Sequence, residues 1–250
     1  MLLEENSLFW KVLPFLENKF TVAIVSSCVC LFLLICIWVL YVKRHYSPVR
    51  SKILIVGRSG EDEQPGSGKS TLYHVLRTGK APKFQSVTSM VPNEGTFIPR
   101  GSKTLKEANF VDFPGNERLK TELEDQVLHA KVIIYVLDVS RLETEIRKEA
   151  ISVYNIFKLL KKRNRKAIPI LIFCNKIDLC ESFPLDKVRQ ILGEEILKYQ
   201  REVAPSGGDE SVLATNIDSL LACSQYVVSF ESGSAAQGVV EPVIHFLDRI

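Results

Sequence analysis

The hydrophobic positions of this chain form one long run near the start and then a series of short runs. The long run extends from about residue 20 to residue 42 and contains no charged side chain. An apolar segment of this length can cross a bilayer as a helix, since about 20 residues suffice. The short runs alternate with segments of helical periodicity, which predicts an α/β fold with a mostly parallel sheet covered on both faces.

Short apolar runs predict the strands of this sheet, and the segments between them predict its helices. The strands are Ile53–Val56, Asn109–Phe113, Val132–Leu137, Ile170–Phe173 and Tyr226–Phe230. The helices are Ser70–Arg77, Glu117–His129, Glu143–Lys162, Leu185–Tyr199 and Val239–Ile250. Phe97 and Ile98 are expected to form another strand, antiparallel to the run that begins at Asn109. Polar residues, Pro and Gly predict a surface loop from Ala204 to Asp218.

The placement of charge predicts the domain organisation and the orientation. Basic residues follow the long run at Lys43, Arg44, Arg50 and Lys52, whereas both signs precede it. The positive-inside rule then places the C-terminal part in the cytosol. A cleaved signal peptide would have a shorter apolar core with basic residues before it. We expect a short lumenal segment (1–19), a transmembrane helix (20–42), a juxtamembrane linker (43–51) and one globular domain (52–250).

Composition excludes some classes of function. The formal net charge is only +3, so the chain is not expected to bind nucleic acid directly. The six cysteines do not have the spacing of a metal site. Thiols of a cytosolic domain stay reduced, and we therefore expect no disulfide bonds.

The segment after the first predicted strand has the residues of a phosphate-binding loop. In such a P-loop, backbone N–H groups surround the phosphates, a Lys reaches the outer phosphates, and a Ser or Thr hydroxyl binds Mg²⁺. The expected magnesium contact is Ser70. The expected nucleotide contacts are Gly57, Ser67, Gly68, Lys69, Ser70 and Thr71.

The spacing of this loop departs from the pattern G-x-x-x-x-G-K-[ST], because Glu63 stands where the first Gly belongs. Removing residues 61–66, or equally 60–65, restores a regular loop. We interpret the acidic stretch Glu-Asp-Glu-Gln-Pro as an insertion that must bulge away from the phosphates or weaken their binding, since like charges repel. An ordinary glycine-rich turn is the alternative for this segment taken alone.

Asp112-Phe113-Pro114-Gly115 ends the second predicted strand. A carboxylate at this place faces the Mg²⁺ bound by the P-loop, so Asp112 is a predicted metal ligand. The amide of Gly115 is expected to contact a γ-phosphate, as such loops do in switch proteins. The tetrapeptide is otherwise an ordinary turn, and its position after the P-loop favours the functional interpretation.

Asn175-Lys176-Ile177-Asp178 is the most specific motif of the chain. A carboxylate in a base pocket accepts hydrogen bonds from the guanine N1–H and 2-amino groups, and adenine offers neither donor. Sites built around such bonds discriminate by roughly 10⁴-fold or more. We expect Asp178 to select guanine, Asn175 to tie this loop to the P-loop, and the Lys176 stem to cover the base plane.

Two weaker signals complete the predicted site. Ser232 and Gly233 follow the last strand and are expected to close the base pocket with backbone N–H groups, although Ser-Gly is also a common turn. Thr88 is expected to complete the Mg²⁺ shell when a γ-phosphate is present. Thr96 is the alternative for that role, and both threonines could instead be solvent-facing.

The ordered set G-K-S-T, T-S-M-V-P-N-E-G-T-F, D-F-P-G and N-K-I-D behind one apolar span resembles the beta subunits of the signal recognition particle receptor. These are membrane-anchored relatives of the Arf and Sar GTPases. The resemblance covers about Phe20 to Ile250. It implies a Ras/Arf-like P-loop GTPase domain, with GTP and Mg²⁺ as cofactors. Arf itself would begin with a myristoylated Gly at position two, which Leu2 excludes.

The resemblance also implies location, partners and turnover. The family holds the receptor alpha subunit at the endoplasmic reticulum membrane and acts indirectly with the ribosome and the translocation channel. Asn116 lies where the family usually has His and Ras-like enzymes have Gln. Its short side chain predicts slow or negligible intrinsic hydrolysis.

Three functions are compatible with these motifs to different degrees. The first is a receptor subunit whose GTP-bound domain is a docking surface, and the anchor and the switch sequence favour it. The second is an Arf/Sar-like turnover GTPase in vesicle trafficking. The third, an ATP-using kinase or transporter subunit, is disfavoured by Asn175 and Asp178.

Overall fold

The computed structural model describes residues 19–45, 52–60, 66–82, 90–161, 167–179, 184–203, 216–223 and 226–250. The chain divides into two compact units, Met1–Val49 and Arg50–Ile250.

The first unit contains helix α1, Lys19–His45. Its described side chains, 22–38, are nearly all exposed and apolar or small. Among the described residues, no helix combines the length and the apolar character needed to cross a membrane. The predicted transmembrane segment therefore stays a prediction.

The second unit is a sheet with helices on both faces. Its strands are β1 (Lys52–Val56), β2 (Asn93–Phe97), β3 (Ala108–Asp112), β4 (Ala130–Asp138), β5 (Ile168–Asn175), β6 (Ala222–Cys223) and β7 (Tyr226–Ser232). Its helices are α2 (Lys69–Thr78), α3 (Lys120–His129), α4 (Leu142–Lys161), α5 (Leu185–Val203), α6 (Ile217–Leu221) and α7 (Glu241–Asp248).

The sheet order is β2-β3-β1-β4-β5-β7-β6. The inner strands pair in parallel, whereas β2 on β3 and β6 on β7 are antiparallel. The predicted α/β fold with a mostly parallel sheet is thus confirmed.

Hydrophobic cores lie on both faces of the sheet, which explains why the inner strands are almost continuously apolar. In β1, Leu54 and Val56 belong to the core under one face. Ile53 and Ile55 belong to the core under the other. Helix α4 covers the first face, where the ring of Phe157 stacks on that of Tyr226 with centroids 4.5 Å apart.

Helix α2 covers the other face and starts where the predicted phosphate loop ends. Leu72, Val75 and Leu76 are buried on its inner side, at the spacing of one helical face. Gly79 ends the helix in the left-handed conformation, and its N–H donates to the Val75 carbonyl at 2.7 Å.

The edges of the sheet differ from the sequence prediction. The antiparallel strand predicted at Phe97 and Ile98 is β2, which begins earlier, at Asn93, and ends at Phe97. The surface loop predicted to reach Asp218 ends sooner, because Ile217–Leu221 forms α6 with Leu220 and Leu221 buried. Residues 204–215 of that loop lie outside the described residues.

Candidate functional site

Polar residues and glycines gather at the carboxyl edge of the parallel sheet. Gly57 follows β1, and the last residues of β3, β4, β5 and β7 are Asp112, Asp138, Asn175 and Ser232. Because these strands run in parallel, all five positions lie at one edge. Ligands of open α/β sheets bind at this edge.

The P-loop folds back on itself between β1 and α2. Ser67 donates to the Arg58 carbonyl from its N–H at 3.3 Å and from Oγ at 3.1 Å. A Cβ placed on Gly66 would lie 3.2 Å from the backbone nitrogen of Gly60, so these two residues are in contact. The chain therefore leaves and rejoins the loop at nearly one point, although residues 61–65 of the predicted insertion lie outside the described residues.

Lys69 is buried at the start of α2, only 7% exposed. Its Nζ donates to the Arg58 carbonyl at 2.9 Å. Burial lowers the pKa of Lys69 to about 8, against the opposing effects of Asp112 and Glu149. The side chain is therefore still mainly cationic at neutral pH and suited to an anionic ligand. Thr71, the other predicted contact on α2, lies half-buried in the same first turn.

Ser70 and Asp112, two of the three predicted metal ligands, lie in contact. Ser70 Oγ donates to Asp112 Oδ2 at 2.6 Å, and Asn93 Nδ2 donates to the same oxygen at 3.3 Å. Asp112 is 1% exposed, and its Oδ1 has no hydrogen-bond partner among the described residues. Such a buried orphan acceptor fits a cation, and one carboxylate with a hydroxyl suits Mg²⁺, which takes its other ligands from phosphate and water.

Larger clusters of metal-binding residues do not occur in the described part of the chain, where no three His, Cys, Asp or Glu side chains gather. Thr88, the predicted third metal contact, lies outside the described residues. The alternative, Thr96, is exposed on β2 opposite Asn109. It lies three residues along the strand from Asn93, the partner of Asp112, or about 10 Å at 3.3 Å per residue. Thr96 is therefore badly placed for the metal role.

The D-F-P-G loop packs directly on the P-loop. A Cβ placed on Gly115 would lie 2.3 Å from the Ser59 nitrogen and 2.5 Å from the Gly57 carbonyl oxygen, so no larger residue fits. The next residue, Asn116, uses its side chain locally. Its Oδ1 accepts the Arg118 N–H at 3.0 Å, and its carbonyl accepts the Leu119 N–H at 3.1 Å.

Asn175 joins three loops at the buried centre of the edge. Its Nδ2 donates to the Ser67 carbonyl at 2.7 Å, and its Oδ1 accepts the Ala235 N–H at 2.9 Å. Gly68 has a left-handed φ of 93°, and a Cβ there would lie 2.3 Å from Asn175 Nδ2. The geometry thus links the P-loop, the N-K-I-D loop and the loop after β7.

The remaining predicted contacts with the base lie on these loops. Asp178 is exposed on the 3₁₀ turn Ile177–Leu179, where its carboxylate is accessible to a ligand. Gly233 follows Ser232 and donates its N–H to the Cys174 carbonyl at 3.0 Å, so this N–H is engaged within the fold rather than directed to a base as predicted. The Gly233 carbonyl accepts the Ile177 N–H at 3.5 Å, so the two loops are adjacent.

A buried acid lies behind the P-loop. Glu149 of α4 is 4% exposed and accepts a hydrogen bond from the Tyr135 hydroxyl. Burial raises the pKa of Glu149 to about 7, although the Tyr135 hydrogen bond and the Arg58 and Lys69 charges lower it. Arg58 pairs with Glu145 of the same helix at 3.2 Å.

A cavity of about 780 Å³ opens between α3 and α4. Its lining includes Gly57, Arg58, Gly115 and Tyr135. None of its lining residues belongs to the N-K-I-D loop or to the loop after β7. The convergence of polar groups therefore places the candidate site at the sheet edge rather than in this cavity.

Comparison with known proteins identifies the family. The family model described as signal recognition particle receptor beta subunit matches residues 49–225, which is more than half of the chain. The chain belongs to this family. Among curated relatives of this beta-subunit family, the protein of Dictyostelium discoideum is 31% identical over 135 residues, covering 54% of this chain and 45% of that protein. The chain thus spans about half the length of the curated relatives that it matches.

Solved structures of the beta-subunit family share the fold. The mammalian signal recognition particle receptor structure aligns with a TM-score of 0.64 at 21% identity, over 79% of this chain and 98% of that chain. The SRb-GTP/SRX complex from Chaetomium thermophilum gives 0.59 at 19% identity, over 80% and 98% of the two chains. The fold is accordingly an α/β P-loop GTPase fold.

Sequence reasoning missed several residues of this beta-subunit site. Asp138 ends an apolar strand as Asp112 and Asn175 do, so that position was a usable signal. Ala235 contributes only a backbone N–H, and Glu149 lies on the buried face of a helix where an apolar residue is expected. No local pattern marks either of them.

Proposed function

We propose that this chain is the GTP-binding, membrane-anchored subunit of the signal recognition particle receptor. It holds the alpha subunit at the endoplasmic reticulum for co-translational protein targeting. The observation that carries the proposal is the pair of Asn175 hydrogen bonds, which set the guanine-reading loop against the P-loop.

The residues at the sheet edge divide the work of holding GTP. The P-loop amides and Lys69 bind the phosphates. When they bind, Lys69 Nζ leaves the Arg58 carbonyl and donates to phosphate oxygens instead. Asp178 reads the guanine edge, and the backbone near Ser232 and Gly233 closes the pocket. Ser70 and Asp112 would hold Mg²⁺, which would supply positive charge to neutralise the phosphates.

The sequence and the family support a location at the endoplasmic reticulum membrane. Residues 20–42 anchor the chain, and the basic residues after them keep the GTP-binding domain in the cytosol. Family membership supports the endoplasmic reticulum as the membrane. The solved SRb-GTP/SRX complex supports the proposal that the beta subunit binds its receptor partner in the GTP-bound form.

A capture experiment separates this proposal from an Arf/Sar-like turnover GTPase in vesicle trafficking. The 250-residue chain, in detergent, is loaded with GTP, GDP or ATP and offered purified receptor alpha subunit. We expect capture with GTP to exceed capture with GDP or ATP by about tenfold or more, because only the γ-phosphate with the right base orders the docking surface. Absence of alpha-subunit capture from the GTP-loaded chain would favour the trafficking alternative.

A further inference from the structure

Lys176 has an unusual backbone conformation. Its φ is 67°, and among the described residues it is the one non-glycine residue with positive φ. Residues other than Gly, Asn and Asp seldom adopt this conformation, which persists where surrounding contacts enforce it. A specific contact must therefore compensate at Lys176.

Asp138 supplies that contact. The residue ends β4, directly beside Asn175 in the register of β4 and β5. Lys176 Nζ donates to Asp138 Oδ2 at 2.6 Å, and the two side chains are only 14% and 5% exposed. A charge-assisted hydrogen bond of this length, shielded from water, is much stronger than a surface ion pair.

The carboxylate of Asp138 is itself held in place. Its Oδ1 accepts the Ser140 N–H at 3.1 Å and Ser140 Oγ at 2.6 Å, and its Oδ2 accepts Arg141 Nε at 3.3 Å. Burial raises the pKa of Asp138, but hydrogen bonds from Lys176 and Ser140 outweigh it, and the pKa lies below its usual value. The group is therefore a fixed anion at neutral pH.

We propose that Asp138 is a positioning residue for nucleotide binding, which acts by anchoring the Lys176 ammonium so that the Lys176 stem lies flat against the base plane. The inference rests on the guanine-nucleotide binding proposed above. An unanchored Lys176 would sample many rotamers, and the base would lose one wall of its pocket. The effect belongs to the base end of the nucleotide, so GTP and GDP should lose affinity by the same factor.

The test is titration calorimetry of the 250-residue chain with GTP and with GDP. Asp138→Asn keeps the size of the side chain but removes its charge, and we expect about tenfold weaker binding of both nucleotides. Lys176→Met keeps most of the stem and removes the ammonium, and should give a similar loss. Because Asp138 acts through Lys176, the double variant should bind no more weakly than Lys176→Met alone. Asp138→Glu should recover part of the affinity.

The control is Asp218→Asn, the same chemical change at an exposed carboxylate of α6, and it should leave affinity within about twofold. Unchanged affinity in Asp138→Asn, or losses that add in the double variant, would overturn the inference. If circular dichroism shows that Asp138→Asn does not fold, the Lys176→Met variant decides. Unequal losses of GTP affinity and GDP affinity in that variant would overturn the inference. Failure of the unmodified chain to prefer GTP over ATP would instead reject the proposed function.

Discussion

Two buried carboxylates, Asp112 and Glu149, interact electrostatically with Lys69, and they differ in what compensates for their burial. Asp112 accepts hydrogen bonds from the Ser70 hydroxyl and from Asn93 Nδ2, and its second oxygen is available for a cation. Glu149 accepts one hydrogen bond, from the Tyr135 hydroxyl, and burial raises its pKa to about 7. Glu149 is therefore a titrating group at physiological pH, close to a loop that must bind an anion.

Glu149→Gln should change how stability depends on pH. The folded-state pKa of about 7 exceeds the ordinary value of 4.5, so the folded protein favours the protonated acid. Its stabilising effect is complete below about pH 4.5 and is lost as the pH rises towards 7, up to about 3 kcal/mol of unfolding free energy. The Gln variant keeps the Tyr135 hydrogen bond and should lack this decline.

The measurement is urea unfolding of the nucleotide-free chain between about pH 5 and pH 8. Glu143→Gln, an exposed substitution on the same helix, is the matched control and should retain the decline. Identical pH slopes for the wild type and Glu149→Gln would show that Glu149 does not titrate in this range.

Asn116 predicts slow hydrolysis for a reason visible at the residue scale. Its Oδ1 already accepts the Arg118 N–H, and its side chain is one methylene shorter than Gln. Without a partner, single-turnover hydrolysis should be slower than the roughly 4 × 10⁻⁴ s⁻¹ of intrinsic Ras. A rate at or above that value would mean that another group positions the water.

An apolar run that stops at a polar residue is a local signal, which the sequence analysis used at two strand ends and overlooked at a third, Asp138. Asp112 and Asn175 were found in this way. The Arg58–Glu145 pair and the Glu149–Tyr135 hydrogen bond join residues far apart in the chain. Only the packing of α4 on the sheet brings them together, so no local pattern predicts them.

At the scale of elements, the edge strands and the P-loop were the most difficult to predict from the sequence. The sequence of β2 is Asn-Glu-Gly-Thr-Phe, and most of its residues are exposed. An edge strand with one solvated face needs no apolar run, so only Phe97, stacked on Phe110 with centroids 4.4 Å apart, gave a signal. α6 was missed because five residues are too few to show a helical period.

Removal of residues 61–66 from the P-loop should strengthen GTP binding. Contact between Gly60 and Gly66 means that the shortened loop can close with little rearrangement. The deletion also removes three carboxylates from the neighbourhood of a triphosphate. We expect roughly tenfold tighter binding by titration calorimetry.

A charge-only variant separates the two causes. Replacing Glu61, Asp62 and Glu63 by their amides keeps the length of the loop and should recover part of the gain. Tighter binding by the unmodified loop than by the deletion would contradict the interpretation of an insertion.

At the scale of the whole molecule, the proposed function combines a GTP-binding second unit, expected to lie in the cytosol, with a membrane anchor predicted from the sequence. The family match covers residues 49–225 and therefore most of the second unit. The predicted orientation of the anchor depends on the basic residues after the apolar run. The positive-inside rule places the end of a span that carries more Lys and Arg in the cytosol.

Protease treatment of intact microsomes tests this orientation. Added protease should remove the GTP-binding domain and leave a short protected fragment that contains residues 20–42. Protection of the domain until detergent opens the vesicles would reverse the predicted topology. Release of the whole chain by alkaline carbonate would show that the apolar run does not span the membrane.

Base selection by Asp178 is the sharpest test of guanine-nucleotide binding at this sheet edge. Titration calorimetry of the 250-residue chain should show GTP binding at least about 100-fold tighter than ATP binding, because only guanine offers two donors to one carboxylate. Asp178→Asn should lose GTP by a similar factor and gain xanthosine triphosphate, while Asp186→Asn, an exposed control at the start of α5, should behave as the wild type. If Asp178→Asn kept wild-type GTP affinity, or if ATP bound as tightly as GTP, the chain would not be a guanine-nucleotide-binding protein that uses this site.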